Sequence, residues 1–177
     1  IHQEGAVLKI RRTGEDSNKE FLASKDVWFH PMSLAHEPDG SIAIVDFYRE
    51  IIEDYSAIPR YLQQQYGLDN GKDHGRIWRL VHDDMPVAPK PDMSKMGEPR
   101  LVVEVASSYY WRRQTARRLL VEKGVLSKDG LRVLAETIGN KSSSRDSVVN
   151  ALYVLKGVGK LSGAIIIPGL DHRDFGV

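Results

Sequence analysis

The sequence predicts a mixed chain of 177 residues, β-rich over residues 1–82 and α-helical over 99–177, with a Pro-rich connector at 83–98 between them. Three observations carry this. The apolar spacing changes from a period of two to about 3.6 beyond Pro99. Pro86, Pro89, Pro91 and Pro99, with Asp83, Asp84 and Gly97, make a stiff connector. The charge also changes sign: residues 1–98 hold 12 Lys/Arg and 17 Asp/Glu (net −5), residues 99–177 hold 13 and 7 (net +6).

In the first segment Val7–Arg11 is weakly strand-like, and residues 13–19 are polar and turn-rich. Met32–Ala35 reads as a strand, followed by the turn Pro38-Asp39-Gly40, in which Pro presets φ, Asp bonds its own backbone and Gly supplies φ > 0. Ile42–Val45 is a short buried strand by its β-branched content. Ile58–Gly67 reads as a helix with Pro59 in its first turn and Gly67 at its stop. Ile77–Val81, after Gly71 and Gly75, is another strand. So few short strands do not stand alone in water, so more must pair with them.

In the second segment helices are expected at Leu101–Ala106, Tyr110–Glu122, Leu131–Ile138, Arg145–Lys156 and Ala164–Leu170, with a further start at Asp171–Val177. A shift of 33 positions lays Leu101 on Leu134 and Ile167, Arg112 on Arg145, Leu119 on Leu152, and Gly124 on Gly157. Helix pairs recurring at that spacing, without tetratricopeptide or ankyrin consensus residues, predict a HEAT-like α-solenoid. The chain starts at Ile1 and ends inside a helix start, which predicts a fragment of a longer protein.

An apolar content of 41% supports a packed core, and a net charge of +1 demands no nucleic acid. Cysteine is absent, so the chain has no disulfide framework, thiolate metal site or haem-attachment motif. No apolar run, Ala164–Ile167 included, approaches the roughly 18 residues of a membrane span.

The chemistry-bearing clusters are few. Lys156-Gly157-Val158-Gly159-Lys160 fails as a phosphate loop, because Val154 and Leu161 stand where Gly and Ser/Thr are needed; it reads as a helix C-terminus. Tyr109, Tyr110, Trp111, Arg112, Arg113, Arg117 and Arg118 make an aromatic-basic helix, read as a solvated or interdomain face rather than a nucleic-acid surface. Asp69, Asn70 and Asp73 around Gly71 lack the spacing of a calcium loop and read as a turn. The six His, His30 and His74 among them, show no paired metal spacing, so no metal is expected. Asp46, Tyr48, Arg49 and Glu53 cluster where the strand Ile42–Val45 runs into a loop. An acid, a phenol, a guanidinium and a second acid suit a polyol or an anionic cofactor; the alternative is a structural ion-pair cluster.

Phe21 to Pro31, Pro38-Asp39-Gly40, Asp46-Phe47-Tyr48-Arg49-Glu50 with Ile52-Glu53, and Gly75-Arg76-Ile77-Trp78-Arg79 together resemble the membrane-bound dehydrogenase family of planctomycetes and verrucomicrobia. That family is similar to soluble glucose (sorbosone-type) dehydrogenases, β-propellers that use pyrroloquinoline quinone (PQQ), and carries a Pro-rich connector and HEAT-like repeats. In this chain Glu37 stands where the family has Gly before the turn, and Asp54 where it has His.

The resemblance implies that residues 1–82 are the terminal blade or blades of a β-propeller, and that 99–177 are its HEAT-like repeats. It implies the C-terminal portion of a quinone-dependent sugar or alcohol dehydrogenase, periplasmic or membrane-associated, passing electrons to a cytochrome. A c-type haem would sit in a domain outside this chain. Asp46, Tyr48, Arg49 and Glu53 would lie on the cofactor or substrate side, Asp39, Gly40, Gly75, Arg76 and Arg79 would be structural, and no catalytic base is assigned. Its partners would be the rest of its own propeller or other chains of a complex. The alternative is a non-catalytic scaffold subunit mediating protein–protein contacts.

Overall fold

The computed structural model describes residues 2–4, 7–9, 17–52, 57–66, 70–84, 88–174 and 176–177. The chain divides into two units. The strand unit comprises Arg12–Glu37 and Ser41–Val87; the helical unit comprises Ile1–Arg11, Pro38–Gly40 and Ala88–Val177.

The strand unit is a three-stranded antiparallel sheet of β3 (Pro31–His36), β4 (Ile42–Asp46) and β5 (Arg76–Leu80), in the order β3-β4-β5. The two earlier strands, β1 (His2–Glu4) and β2 (Val7–Lys9), pair with each other and belong to the helical unit. Leu34 faces Ile44 and Ile44 faces Trp78 across the sheet, so these three share one face. Val45, with Ser33 and Ile77 opposite, lies on the other. Among the described residues only Ala43 and Ile44 are buried apolar side chains of this unit. Leu22 and Phe29 approach the Ile44 face, leaving a hollow of about 270 Å³ that Ile44, Trp78 and Leu80 also line. Helix α1 (Arg60–Tyr66) begins as expected after Pro59, whose carbonyl accepts from the Leu62 and Gln63 N–H groups.

The expected propeller blade is not what forms. A blade needs four strands; the described residues give an open sheet of three. Residues 17–30 form turns and irregular backbone where a fourth strand was needed. Two strands per hairpin were legible locally, but closure depends on pairing between distant stretches.

The helical unit contains α2 (Glu98–Glu104), α3 (Tyr110–Lys123), α4 (Lys128–Gly139), α5 (Arg145–Gly157) and the single turn α6 (Gly163–Ile166), which runs into a 3₁₀ turn at Ile167–Asp171. Local chemistry sets these limits. The Ser127 and Ser144 hydroxyls accept from the backbone N–H of Gly130 and Ser147, satisfying donors that the first helical turn leaves open. Gly124 closes α3 in the left-handed region, at φ 68°. Leu101, Val105, Leu120, Leu134, Ile138, Val148, Val154 and Leu155 meet in one core, each contributing about 1.5–3 kcal/mol of burial. Part of the expected connector joins it: Met93, in a 3₁₀ turn, is buried there.

The expected solenoid is likewise overturned. Helices α2 to α5 close around a single core. The third copy of the 33-residue pattern fails: Leu101 and Leu134 are buried, but Ile167 is 65% exposed. Pro168 and Gly169 interrupt the segment, so the apolar spacing there never becomes a long helix.

Candidate functional site

The strongest polar constellation is centred on Asp46, the last residue of β4, which is only 1% exposed. Its Oδ1 accepts from the backbone N–H of His30 at 2.9 Å and of Tyr48 at 3.1 Å. Its Oδ2 accepts from Arg76 Nε at 3.0 Å and from the Trp78 indole N–H at 3.1 Å. A carboxylate offers about four lone-pair sites. All four are taken.

The sheet register produces this arrangement. Asp46 pairs with Arg76 across β4 and β5, and Trp78 lies two residues further along β5 on the same face. The chain then turns sharply at Tyr48, a non-glycine residue in the left-handed region at φ 50°. Gly71 lies against that turn at φ 90°; a Cβ there would meet the Tyr48 carbonyl oxygen at 2.7 Å, so only glycine fits. Arg49 N–H donates to Trp28 O, Phe47 N–H donates to His30 O, and Glu50 N–H donates to Asn70 O. His30 Nδ1 lies 2.9 Å from Trp28 O, and since a carbonyl only accepts, the proton is on Nδ1.

Aromatic rings enclose the guanidinium. Arg76 Cζ lies 4.0 Å from the Tyr48 ring centroid and 4.9 Å from that of Trp78. Trp28 meets Tyr48 edge-on at 5.8 Å, and His74 tilts against Tyr48 at 6.0 Å. Burial pushes the Asp46 carboxyl upward, but the donors from His30, Trp78, Arg76 and Tyr48 outweigh it and hold the group below its ordinary value. Burial draws Arg76 down, and its bonds to Asp46 and Tyr48 raise it above its ordinary value.

Of the four residues expected on the cofactor side, three come together and do different things. Asp46 is saturated, so it has neither a lone pair nor the basicity for general-base work. Tyr48 packs over Arg76. Arg49 folds back on its own loop: Nη1 donates to Tyr48 O at 3.0 Å, and Cζ lies 4.4 Å from the Phe47 ring. Glu53 lies outside the described residues. Among the described residues no group of three His, Asp or Glu is placed to hold a metal.

The residues assigned structural roles separate. Glu37 N–H donates to Ser41 O across the turn, where Gly40 adopts φ 90°. Asp39 is fully buried and pairs with Lys90 Nζ at 3.5 Å within the helical unit. Arg79 Nε donates to Ser41 Oγ at 3.0 Å, and Gly75 passes the Phe47 carbonyl at ordinary contact distance.

Residues 1–84 match the profile of a family described as a domain of unknown function (DUF7133). The whole Asp46 constellation falls inside that stretch. No curated protein matches the chain, and no solved structure does. The sequence reading missed Trp28, His30 and Trp78 as members of the cluster. The signal for Trp78 was its i+2 spacing from Arg76; for His30 and Trp28 there was none, because the His30 N–H and Trp28 O join through the backbone and the Trp28 ring reaches Tyr48 from a distant stretch.

Proposed function

We propose that this chain is a non-catalytic scaffold whose strand unit is completed by a strand of another polypeptide laid along β3. The observation that carries the reading is β3 itself. All six of its residues are exposed, none of Pro31–His36 is Asp, Glu, Lys or Arg, and Met32 and Leu34 are 62% and 65% exposed. Edge strands are ordinarily guarded by charge. The opposite edge, β5, has that guard in Arg76 and Arg79. Beyond Pro31 and the register shift between Pro31 and Ser33, an apolar edge without Asp, Glu, Lys or Arg suits strand addition, in which main-chain bonds supply affinity and alternate side chains supply selectivity. The saturation of Asp46 supports the same reading, since it makes the conspicuous acid a structural group. Light scattering and binding of an apolar dye test it. The wild-type chain should self-associate or bind dye, and Met32→Lys with Leu34→Lys should suppress both while leaving helix content unchanged. A monomer that binds no dye would end this reading.

A second reading retains the redox activity that the motif resemblance implies: a periplasmic or membrane-associated sugar or alcohol dehydrogenase that uses PQQ and passes electrons to a cytochrome. The described residues do not fit that cofactor. A polyanionic quinone needs uncommitted cations, whereas Arg76 is taken up by Asp46 and Arg49 is turned onto its own loop. Trp28, His30, Asp46, Tyr48, Arg76 and Trp78, which belong to the motifs behind the resemblance, converge on a structural hub, and shared shape does not transfer chemistry. Titration with PQQ, followed by dye reduction with a panel of sugars and alcohols, decides it. Saturable binding with turnover would restore the redox reading; no binding removes it for this chain on its own.

A further inference from the structure

Helices α3 and α5 run parallel and in contact. Arg113 Nη2 pairs with Asp146 at 2.8 Å, Gln114 Nε2 donates to Asn150 Oδ1 at 3.4 Å, and Arg117 Cζ lies 5.5 Å from the Tyr153 ring. Successive pairs advance in the same direction along both helices and make a polar ridge between them, in which Arg113 and Asn150 are buried and Tyr153 opens to solvent. The core lies directly beside it, at Ala116, Leu120, Ala151 and Val154.

The cations of this pair of helices divide into two groups. Arg113 is held by Asp146, Arg118 by Glu122 at 2.8 Å, Arg112 by the carbonyls of Pro38 and Pro89, and Lys123 by the carbonyl of Met96. Arg145 lies 3.8 Å from Asp146. Arg117 and Lys156 have no carboxylate or carbonyl partner among the described residues. Lys156 lies three residues beyond Tyr153, on the outward side of α5. Tyr153 is 53% exposed, and its ring braces the Arg117 guanidinium. A guanidinium fixed against an aromatic face, with its donors unspent, is prepared for a planar carboxylate.

We propose that the α3–α5 ridge docks an acidic, extended polypeptide segment, with Arg117 receiving a carboxylate and Tyr153 packing beside it. Charge complementarity selects this occupant. Two uncommitted cations match one or two side-chain carboxylates, whereas a nucleic acid draws its affinity from many phosphate contacts. This surface is separate from β3 and stands or falls independently of it.

The test uses the full chain and fluorescence anisotropy with a fluorescein-labelled peptide of alternating Glu and Leu. An oligo-lysine peptide and single-stranded oligothymidylate are the controls. The acidic peptide should bind, and binding should weaken as salt rises. Arg117→Ala should reduce affinity by about tenfold or more, the loss of one charge-assisted pair. Arg117→Lys should restore part of that loss. Arg118→Ala, which removes a cation already paired with Glu122, should change affinity by less than about threefold. Thermal melts of each variant separate lost binding from lost folding. The proposal is overturned if the acidic peptide does not bind, if oligothymidylate binds more tightly, or if Arg118→Ala costs as much as Arg117→Ala. Dimers that dissociate on Arg117→Ala while the peptide fails to bind would assign the ridge to a second copy instead.

Discussion

Asp46 and Arg76 sit directly opposite each other on β4 and β5, and the Arg76 Nε–Asp46 Oδ2 bond spans that cross-strand pair at 3.0 Å. The same carboxylate also holds the N–H groups of His30 and Tyr48 and the Trp78 indole. Removing it strands four donors at once. Breaking a buried pair costs about 3–5 kcal/mol, and because Arg76 is partly exposed the lower end applies. Asp46→Ala should therefore destabilise the strand unit by about 3 kcal/mol. Urea titration followed by Trp fluorescence, in a Trp111→Phe background, reads the strand unit alone.

Acid should act through the same group. The folded Asp46 carboxyl titrates below its unfolded value, so the unfolded state binds its proton first as pH falls. Its contribution is full above the unfolded value, near pH 4, and is lost as pH drops through the lower folded value. Strand-unit stability should be level from about pH 7 to 5 with respect to this group and decline below about 4. Asp46→Asn should flatten that decline. A decline of the same steepness in Asp46→Asn would assign it to other carboxylates.

Two glycines with positive φ should respond differently to alanine. At Gly71 an added Cβ meets the Tyr48 carbonyl oxygen at 2.7 Å, and the backbone there is left-handed. At Gly124 the φ is 68° but nothing lies within 4 Å of the Cβ position. Gly124→Ala should cost about 1 kcal/mol, the left-handed penalty alone. Gly71→Ala should cost about 1–3 kcal/mol more. Equal losses in thermal melts would show that the Tyr48 loop yields.

Gly157 is a steric case. A Cβ there would lie 2.6 Å from Val121 Cγ2, in the contact between α3 and α5. Gly157→Ala should destabilise the helical unit by about 1–3 kcal/mol through overpacking. Adding Val121→Ala should recover most of it, as a negative coupling energy in a double-mutant cycle. Additive losses would mean that the helices separate rather than collide.

The local content of the sequence was readable where neighbours in the chain decide structure. Ile42–Val45 declared a strand by β-branching, Pro38-Asp39-Gly40 a turn, and Pro59 a helix start. What was not readable depends on distance along the chain. Whether β3 and β5 gain further strands is not encoded in either, so the blade did not follow from them. Ile167 matched Leu101 and Leu134 in residue type, yet Pro168 and Gly169 beside it kept it out of any core. At the candidate site, Asp46, Tyr48, Arg49 and Glu53 stood out as polar residues where a strand runs into a loop. Their meaning did not. Only the pairing of Asp46 with Arg76, and the approach of backbone from His30, turned a presumed ligand-binding acid into a filled acceptor.

The acceptors of Asp46 reach three stretches of chain that are far apart in sequence: the peptide at His30, the peptide at Tyr48, and the side chains of Arg76 and Trp78. A synthetic peptide of the β4 strand and its loop would therefore not keep the bend at Tyr48. To transplant this loop into a foreign sheet, an engineer must carry all three stretches together, with Gly71 as spacer beneath the bend.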